Sequence, residues 1–329
     1  MSGPDQAAAD PGLRGDTPIG MAARAIVGVR LAAVRQRLAG VRESDDAPAK
    51  DVHGLRVASR RASAALGVFR AVAPERTSRR VRRALRRLRR AAALARTADV
   101  HATMVGELLV GASGARAAAC GYALGRLGVE AELGRLRLAD AVKRVGVKRV
   151  ARHHEALMDS LREVESRDGT TFGAVARDVV GDAFSRMELA MTGDLSSAEK
   201  LHELRLVVKR FRYMVEVVEP CLDADAFAET MKQTRALQKR LGELNDLSEL
   251  EGRLEGYARE LERSKRCEEQ ALVISGLRAM QGEIDRACVD RRDALMVWWA
   301  ERGGPARFVS LQHALVAQNA AETGTGARP

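Results

Sequence analysis

Residues 51–66 read DVHGLRVASRRASAAL, and 149 positions later residues 200–215 read KLHELRLVVKRFRYMV. The register places His53 over His202, Arg56 over Arg205, Arg60 over Lys209 and Arg61 over Arg210. Two copies of one basic, histidine-led segment imply a duplicated architecture that directs both copies at a shared anionic partner.

Helical geometry gives the spacing its meaning, because successive side chains turn by about 100°. His53, Arg56 and Arg60 fall on one side, continued by Ser63 and Gly67, while Leu55, Ala58, Ala62, Leu66 and Phe69 gather opposite. In the second copy His202, Arg205, Lys209 and Arg212 share a face, and Leu204, Val207, Val208, Phe211 and Val215 form the apolar stripe. Each segment therefore reads as an amphipathic helix with a buriable face. A solvated charged face is the bland explanation of one such helix. The in-register second copy argues for a binding face.

The chain is long enough for two compact domains or one duplicated one. Two Trp, three Tyr and six Phe among 329 residues leave few strand-favouring aromatics, and proline is sparse. These features predict an all-α protein. A net charge of +11 and a pI near 10.0 point to a polyanion: nucleic acid, an acidic membrane or polyphosphate. Cys120, Cys221, Cys267 and Cys288 show no CxxC pairing and no metal-ligand spacing with histidine, so they read as reduced thiols of a cytoplasmic protein. The N-terminal stretch has no apolar core for a signal peptide, and no apolar run is long enough to span a membrane.

Along the chain, residues 1–16 and 321–329 have the composition of unstructured tails. Helices are expected over 19–41, over the His53 segment up to Ala73-Pro74, from a Thr77 or Ser78 cap to Ala98, and over 100–111, 114–126 and 130–164. The order then restarts with 171–192, the His202 helix ending at Pro220, and 224–262, 265–299 and 305–320. Thr17-Pro18 is expected to cap the first helix. We read two four-helix-type bundles, 17–168 and 169–320, related by an internal repeat.

The repeat extends beyond the histidines. Arg86 lies over Arg235, Leu88 over Leu237, Arg90 over Lys239, and Arg96-Thr97 over Asn245-Asp246. Residues 52–96 contain 14 Arg and one acid, Glu75. In VRRALRRLRR, Val81, Ala84, Leu85 and Leu88 form a narrow stripe flanked by Arg82, Arg86 and Arg89 on one side and Arg83, Arg87 and Arg90 on the other. Like charges at i,i+4 repel, and too few acids stand nearby in sequence to neutralise them, which implies an external anion. Arginine suits phosphate because its planar fork binds two oxygens and stays charged at physiological pH.

At these residues the chain resembles the CHAD family, named for conserved histidines in an α-helical domain. The resemblance lies in HGLRVASRR, HELRLVVKRFRY and LQKRLGELND (237–246), and it spans roughly 19–320. It implies two four-helix bundles with pseudo-two-fold symmetry around a basic central channel that binds inorganic polyphosphate, and, for some members, association with polyphosphate granules. Carried over, His53, Arg56, Arg60 and Arg61 line one wall and His202, Arg205, Lys209, Arg210 and Arg212 the other. Arg82, Arg86, Arg89, Arg90, Arg235 and Lys239 extend the basic surface. The pattern is broken in the first half: LGELND is answered by AAALARTAD, with Thr97 in place of an acid, and Ser63 stands where the second copy has Arg212. The first wall is therefore expected to be looser, with Asp99 taking the acid's structural role.

A flexible polyphosphate needs closely spaced donors and no stacking platform. Nucleic-acid binding is the second reading, disfavoured by the scarcity of aromatics and by the lack of helix-turn-helix, zinc-finger or RNP-like motifs. Alanine-rich apolar faces suit packing better than lipid insertion, so no membrane partner is expected. No catalytic function is expected, since the chain lacks an E-x-E-x-K strand motif, a Walker loop and a nucleophile elbow. No metal or cofactor is expected either: His153 and His154 are adjacent on a helix and point apart, and His101 and His313 read as ordinary packed or surface residues. Binding is expected to weaken with salt, and a phosphate groove would favour the imidazolium forms of His53 and His202 at mildly acidic pH. The basic run at 143–154 either extends the basic surface or is simply solvated, and Trp298-Trp299 reads as a core anchor.

Overall fold

The computed structural model describes residues 12–43, 48–164, 169–192, 195, 197–264 and 268–321. Most of both expected tails and Cys267 lie outside them. Ten α-helices are found among the described residues: α1 (Ile19–Glu43), α2 (Ala49–Val68), α3 (Glu75–Leu109), α4 (Gly114–Val145), α5 (Val147–Val164), α6 (Phe172–Met191), α7 (Ala198–Val218), α8 (Ala224–Arg263), α9 (Glu268–Glu301) and α10 (Gly304–Ala321). A short 3-10 turn follows α2 (Phe69–Ala71) and another follows α7 (Glu219–Cys221). The protein is all-α, as its composition predicts.

Several helix limits differ from the sequence reading. α3 begins at Glu75 rather than at Thr77 or Ser78. Ser78 is buried, and its N–H donates to Pro74 O at 3.0 Å inside the first turn. Pro74 is suited to a helix start because it has no N–H to satisfy, and Glu75 places an acid against the positive end of the helix dipole. The helix then continues through Ala98 to Leu109 without the expected break. Nothing between 126 and 130 stops α4 either. The interruption falls instead at Gly146, whose φ of 70° is readily adopted only by glycine. At α1, Thr17 Oγ1 accepts from the Arg14 N–H at 2.9 Å rather than from the helix.

Two compact units divide the chain, and they do not follow the halves of the sequence. One contains Met1–Arg90, Leu138–Gln238 and Gly303–Pro329, and the other Ala91–Arg137 and Lys239–Arg302. Each unit draws on both halves, because α3 and α8 are long enough to contribute to both.

In the first unit α1 packs on α2 and α5, α6 packs on α7 and α10, and α2 packs on α7. The starts of α1 and α6 are tied together by Phe172 N–H donating to Thr17 O at 2.8 Å and Ile19 N–H donating to Thr170 O at 3.1 Å. Ahead of α1, Leu13 is buried and Gly15 O accepts from Gly173 N–H at 2.8 Å. The apolar stripe of α2 is buried as the spacing predicts. On α7 Leu204, Val208, Phe211 and Val215 are buried, while Val207 is only half-buried. Phe211 meets Phe184 edge to face at 4.8 Å, and Phe69 lies 5.7 Å from Phe172. Burying each such ring contributes about 2–3 kcal/mol and fixes the angle at which the basic faces are presented.

The second unit is built from four helical segments among the described residues, from α3, α4, α8 and α9, around Val105, Leu127, Leu250, Leu254 and Leu277. Small residues allow close approach here. A Cβ at Gly276 would stand 2.0 Å from Ala115 O, so α4 and α9 touch where any larger residue would push them apart. Asp99 pairs with Arg135 at 3.2 Å, tying α3 to α4. Trp299 is buried, and Arg240 lies over the Trp298 ring at 4.3 Å.

Candidate functional site

The α2–α7 contact brings the two histidine helices together in the first unit. Apolar burial on the far side of each helix leaves His53 and His202 exposed and keeps Arg56, Arg60, Arg205 and Lys209 half-buried. The aliphatic stems of these side chains can thus lie along the helix surface beneath their charged ends.

Arg89 lies at the centre of the first repeat's cations. From α3 its Nη1 donates to Ser59 O at 3.1 Å and to Ser63 Oγ at 2.5 Å, while Arg56 Nη1 donates to Arg89 O at 3.2 Å. Ser63 in turn donates to Ser59 O at 2.8 Å, so one turn of α2 acts as a neutral cradle for a charged group. Ser63 therefore does not leave this repeat short of a cation, because a neighbouring helix supplies one. Desolvation, then the positive charges of Arg60 and Arg86, lower the Arg89 pKa from its ordinary value. Arg56, Arg60, Arg86 and Arg89 thus converge, and both acceptors of Arg89 are uncharged oxygens.

A different group forms around Glu216 of α7, whose side chain is only 10% exposed. Arg61 of α2 donates through Nε to Glu216 Oε2 at 3.2 Å, and Arg212 Nε lies 3.4 Å from Glu216 Oε1. One carboxylate thus holds an arginine from each histidine helix. Arg30 of α1 joins them: desolvation, then Arg61, lower its pKa, while Glu216 and Glu219 oppose the shift. Desolvation and then Glu216 raise the Glu219 pKa, offset by Arg30 and Arg235. Sequence reasoning placed Arg61 and Arg212 on open walls and missed Arg30, Glu216 and Glu219. The i,i+4 spacing of Arg212 and Glu216 was the available signal.

The other candidates spread more widely. Arg82 is half-buried, 3.7 Å from Glu75, while Arg86, Arg90 and Arg235 are exposed. Lys239 falls in the second compact unit, 4.0 Å from Glu243. Arg210 lies away from the shared face of α7, since one residue beyond Lys209 turns it by about 100°. It instead lines a groove between α6 and α7 with Arg186, Val207, Phe211 and Met214. Arg80, Arg149 and Arg152 all act on His153, so part of the 143–154 run is associated with the start of α3. Among the described residues, no three histidine, cysteine or acidic side chains come together as a metal site. No described helix is long and apolar enough to cross a membrane.

The CHAD domain family model matches residues 25–255 of this helical chain. The chain belongs to that family. Its fold is similar to the crystal structure of the CHAD domain from the plant Ricinus communis, with a TM-score of 0.62 and 22% identity over 96% of this chain and 98% of that one. It is also similar to PptA from Streptomyces chartreusis, with a TM-score of 0.56 and 18% identity over 85% of this chain and 99% of that one. No curated protein matches the chain.

Proposed function

We propose that the protein binds inorganic polyphosphate, without cleaving it, along the basic face of α2, α7 and the start of α3. The observation that carries this reading is the crowding at Arg89. A desolvated guanidinium stands beside Arg60 and Arg86 with only uncharged oxygens as acceptors, an arrangement that costs free energy unless an anion joins it. A chain of phosphates supplies oxygens at each of these cations in turn. His53, Arg56, Arg60, Arg86 and Arg89 form one wall of the proposed channel, and His202, Arg205 and Lys209 the other. Arg61 and Arg212 support these walls through Glu216. Family membership and the fold are compatible with a polyphosphate-related role, and no hydrolytic motif opposes a purely binding function. The same reading places the protein at polyphosphate granules in the cytoplasm.

A competition titration at fixed salt tests it, with long-chain polyphosphate, single-stranded DNA and duplex DNA as competitors. Polyphosphate should win by orders of magnitude, and an Arg56→Ala/Arg205→Ala variant should lose it. Equal competition by DNA would turn the site into a general polyanion surface. Undiminished binding by the variant would remove α2 and α7 from it. Release of orthophosphate from polyphosphate by the purified protein would overturn the non-catalytic assignment.

A further inference from the structure

The LGELND segment, Leu241–Asp246, takes no part in the site proposed above. In the second compact unit it helps form a groove of about 560 Å³ between α3, α8 and α9. The floor is apolar: Leu250 and Ile284 are buried, and Met104 and Leu108 are half-buried against the same core. The lining carries four carboxylates, Glu107, Glu243, Asp246 and Glu283, against one cation, Arg291.

Some of this charge is met locally. Glu283 pairs with Arg116 at 2.8 Å, Glu243 lies 4.0 Å from Lys239, and Asn245 Nδ2 donates to Asp246 Oδ1 at 3.5 Å. Glu107 is exposed and makes no ion pair among the described residues. In a chain with a net charge of +11, this groove is a local reversal of sign. Its carboxylates repel phosphate, so it cannot continue the polyphosphate site. An apolar trough with acidic edges instead complements a helix with apolar anchors on one face and Lys or Arg along its flanks.

We propose that this groove docks a basic amphipathic helix of a partner protein. The floor takes anchors at i, i+3 or i+4, and i+7, and the acidic edges take the flanking cations and set the helix in place. The proposal is independent of the polyphosphate reading, and its test contains no polyphosphate.

Labelled helical peptides of about five turns are titrated against the full chain at about 0.15 M salt. One has a leucine face and lysine flanks, one has glutamate in place of lysine, and one is a scramble of the first without an apolar face. The basic amphipathic peptide should bind at least about tenfold tighter than either control, a difference of about 1.4 kcal/mol. Glu107→Lys/Glu243→Lys should remove that advantage with helix content unchanged by circular dichroism. Equal binding of the scramble, or an unaltered titration of the double variant, overturns the proposal. So does a homodimer that dissociates on the same reversal, which would give the groove to a second copy. Equally tight binding of a single-chain cationic amphiphile would give it to a small molecule. Glu107→Gln, which removes charge without reversing it, should weaken the basic peptide by a smaller factor; no change there also counts against the assignment.

Discussion

In the first repeat Arg89 of α3 reaches over Ser63 of α2. In the second, Arg212 stands on α7 at the position of Ser63, and Gln238 takes the register position of Arg89. In the sequence register, the cation of this pair of positions stands on α3 in one copy and on the histidine helix in the other. Its counter-charge differs more. Arg89 meets serine oxygens and two further arginines, whereas Arg212 meets Glu216, which also holds Arg61. One corner has no carboxylate, and in the other a single carboxylate is shared between two arginines. The pattern of basic residues, nearly identical in the two copies, thus separates into a corner without a carboxylate and a corner whose shared carboxylate links the two helices.

The largest effect should come from removing the corner without a carboxylate. Arg60→Ala/Arg89→Ala deletes two charge-assisted contacts, each worth about 1.5–3 kcal/mol, so polyphosphate affinity should fall by at least about a hundredfold. Arg210→Ala, also a loss of positive charge but outside this corner, should change it by less than about threefold. Equal losses in the two titrations would mean that net charge rather than geometry sets binding.

Glu216→Gln should act in the opposite sense on the other corner. It leaves two mostly buried guanidinium groups without a full counter-charge, lowering stability by about 3 kcal/mol in denaturant unfolding. Polyphosphate should then restore part of the lost stability, because ligand binding favours the folded state. An unchanged unfolding midpoint would show that the carboxylate does not join the helices.

A further repeat difference lies in the second unit, where His101 of α3 corresponds to Leu250 of α8 and both are fully buried. Desolvation, then Arg253, hold His101 down to about 4, against an ordinary value of 6.5. The unfolded chain takes up this proton near pH 6.5 and the folded chain only near pH 4, so the histidine removes stability as pH falls through that window. The slope is at most about 1.4 kcal/mol per pH unit. His101→Leu, which copies the second repeat, should gain stability over the parent progressively between pH 6.5 and 4.5. A constant difference in Tm across that range would mean that the histidine does not titrate on unfolding there.

The smallest effect should follow from transplanting one repeat's solution into the other. Ser63→Arg/Arg89→Gln places the cation on α2 as the second repeat does, and polyphosphate affinity should stay within about threefold of the parent. A loss comparable to that of Arg60→Ala/Arg89→Ala would show that the serine cradle positions the charge in a way α2 alone cannot.

Much of the fold was legible because apolar spacing survives folding. The stripe Leu55, Ala58, Ala62, Leu66 and Phe69 is buried throughout, and α1, α6, α7 and α10 lie within a few residues of their expected limits. The limits that differed, at Pro74, at Ala98 and around 126–130, depended on weak stop signals that continuous packing overrode, whereas the positive φ of Gly146 was decisive. For the site, the register of His53 and His202 picked out two helices that pack on one another as α2 and α7. It did not show that Arg61 would meet a carboxylate 155 residues away, or that Arg210 would turn into an α6–α7 groove.

The sequence by itself determined the helical class, the duplicated histidine segment and the excess of arginine, because these depend on local periodicity and composition. Only the tertiary structure decided which arginines are neutralised. Coulombic interaction depends on distance and desolvation, and both are set by which helices pack together rather than by order along the chain. Glu216 takes two of the cations that sequence reasoning assigned to ligand, and Arg89 is left among its own kind.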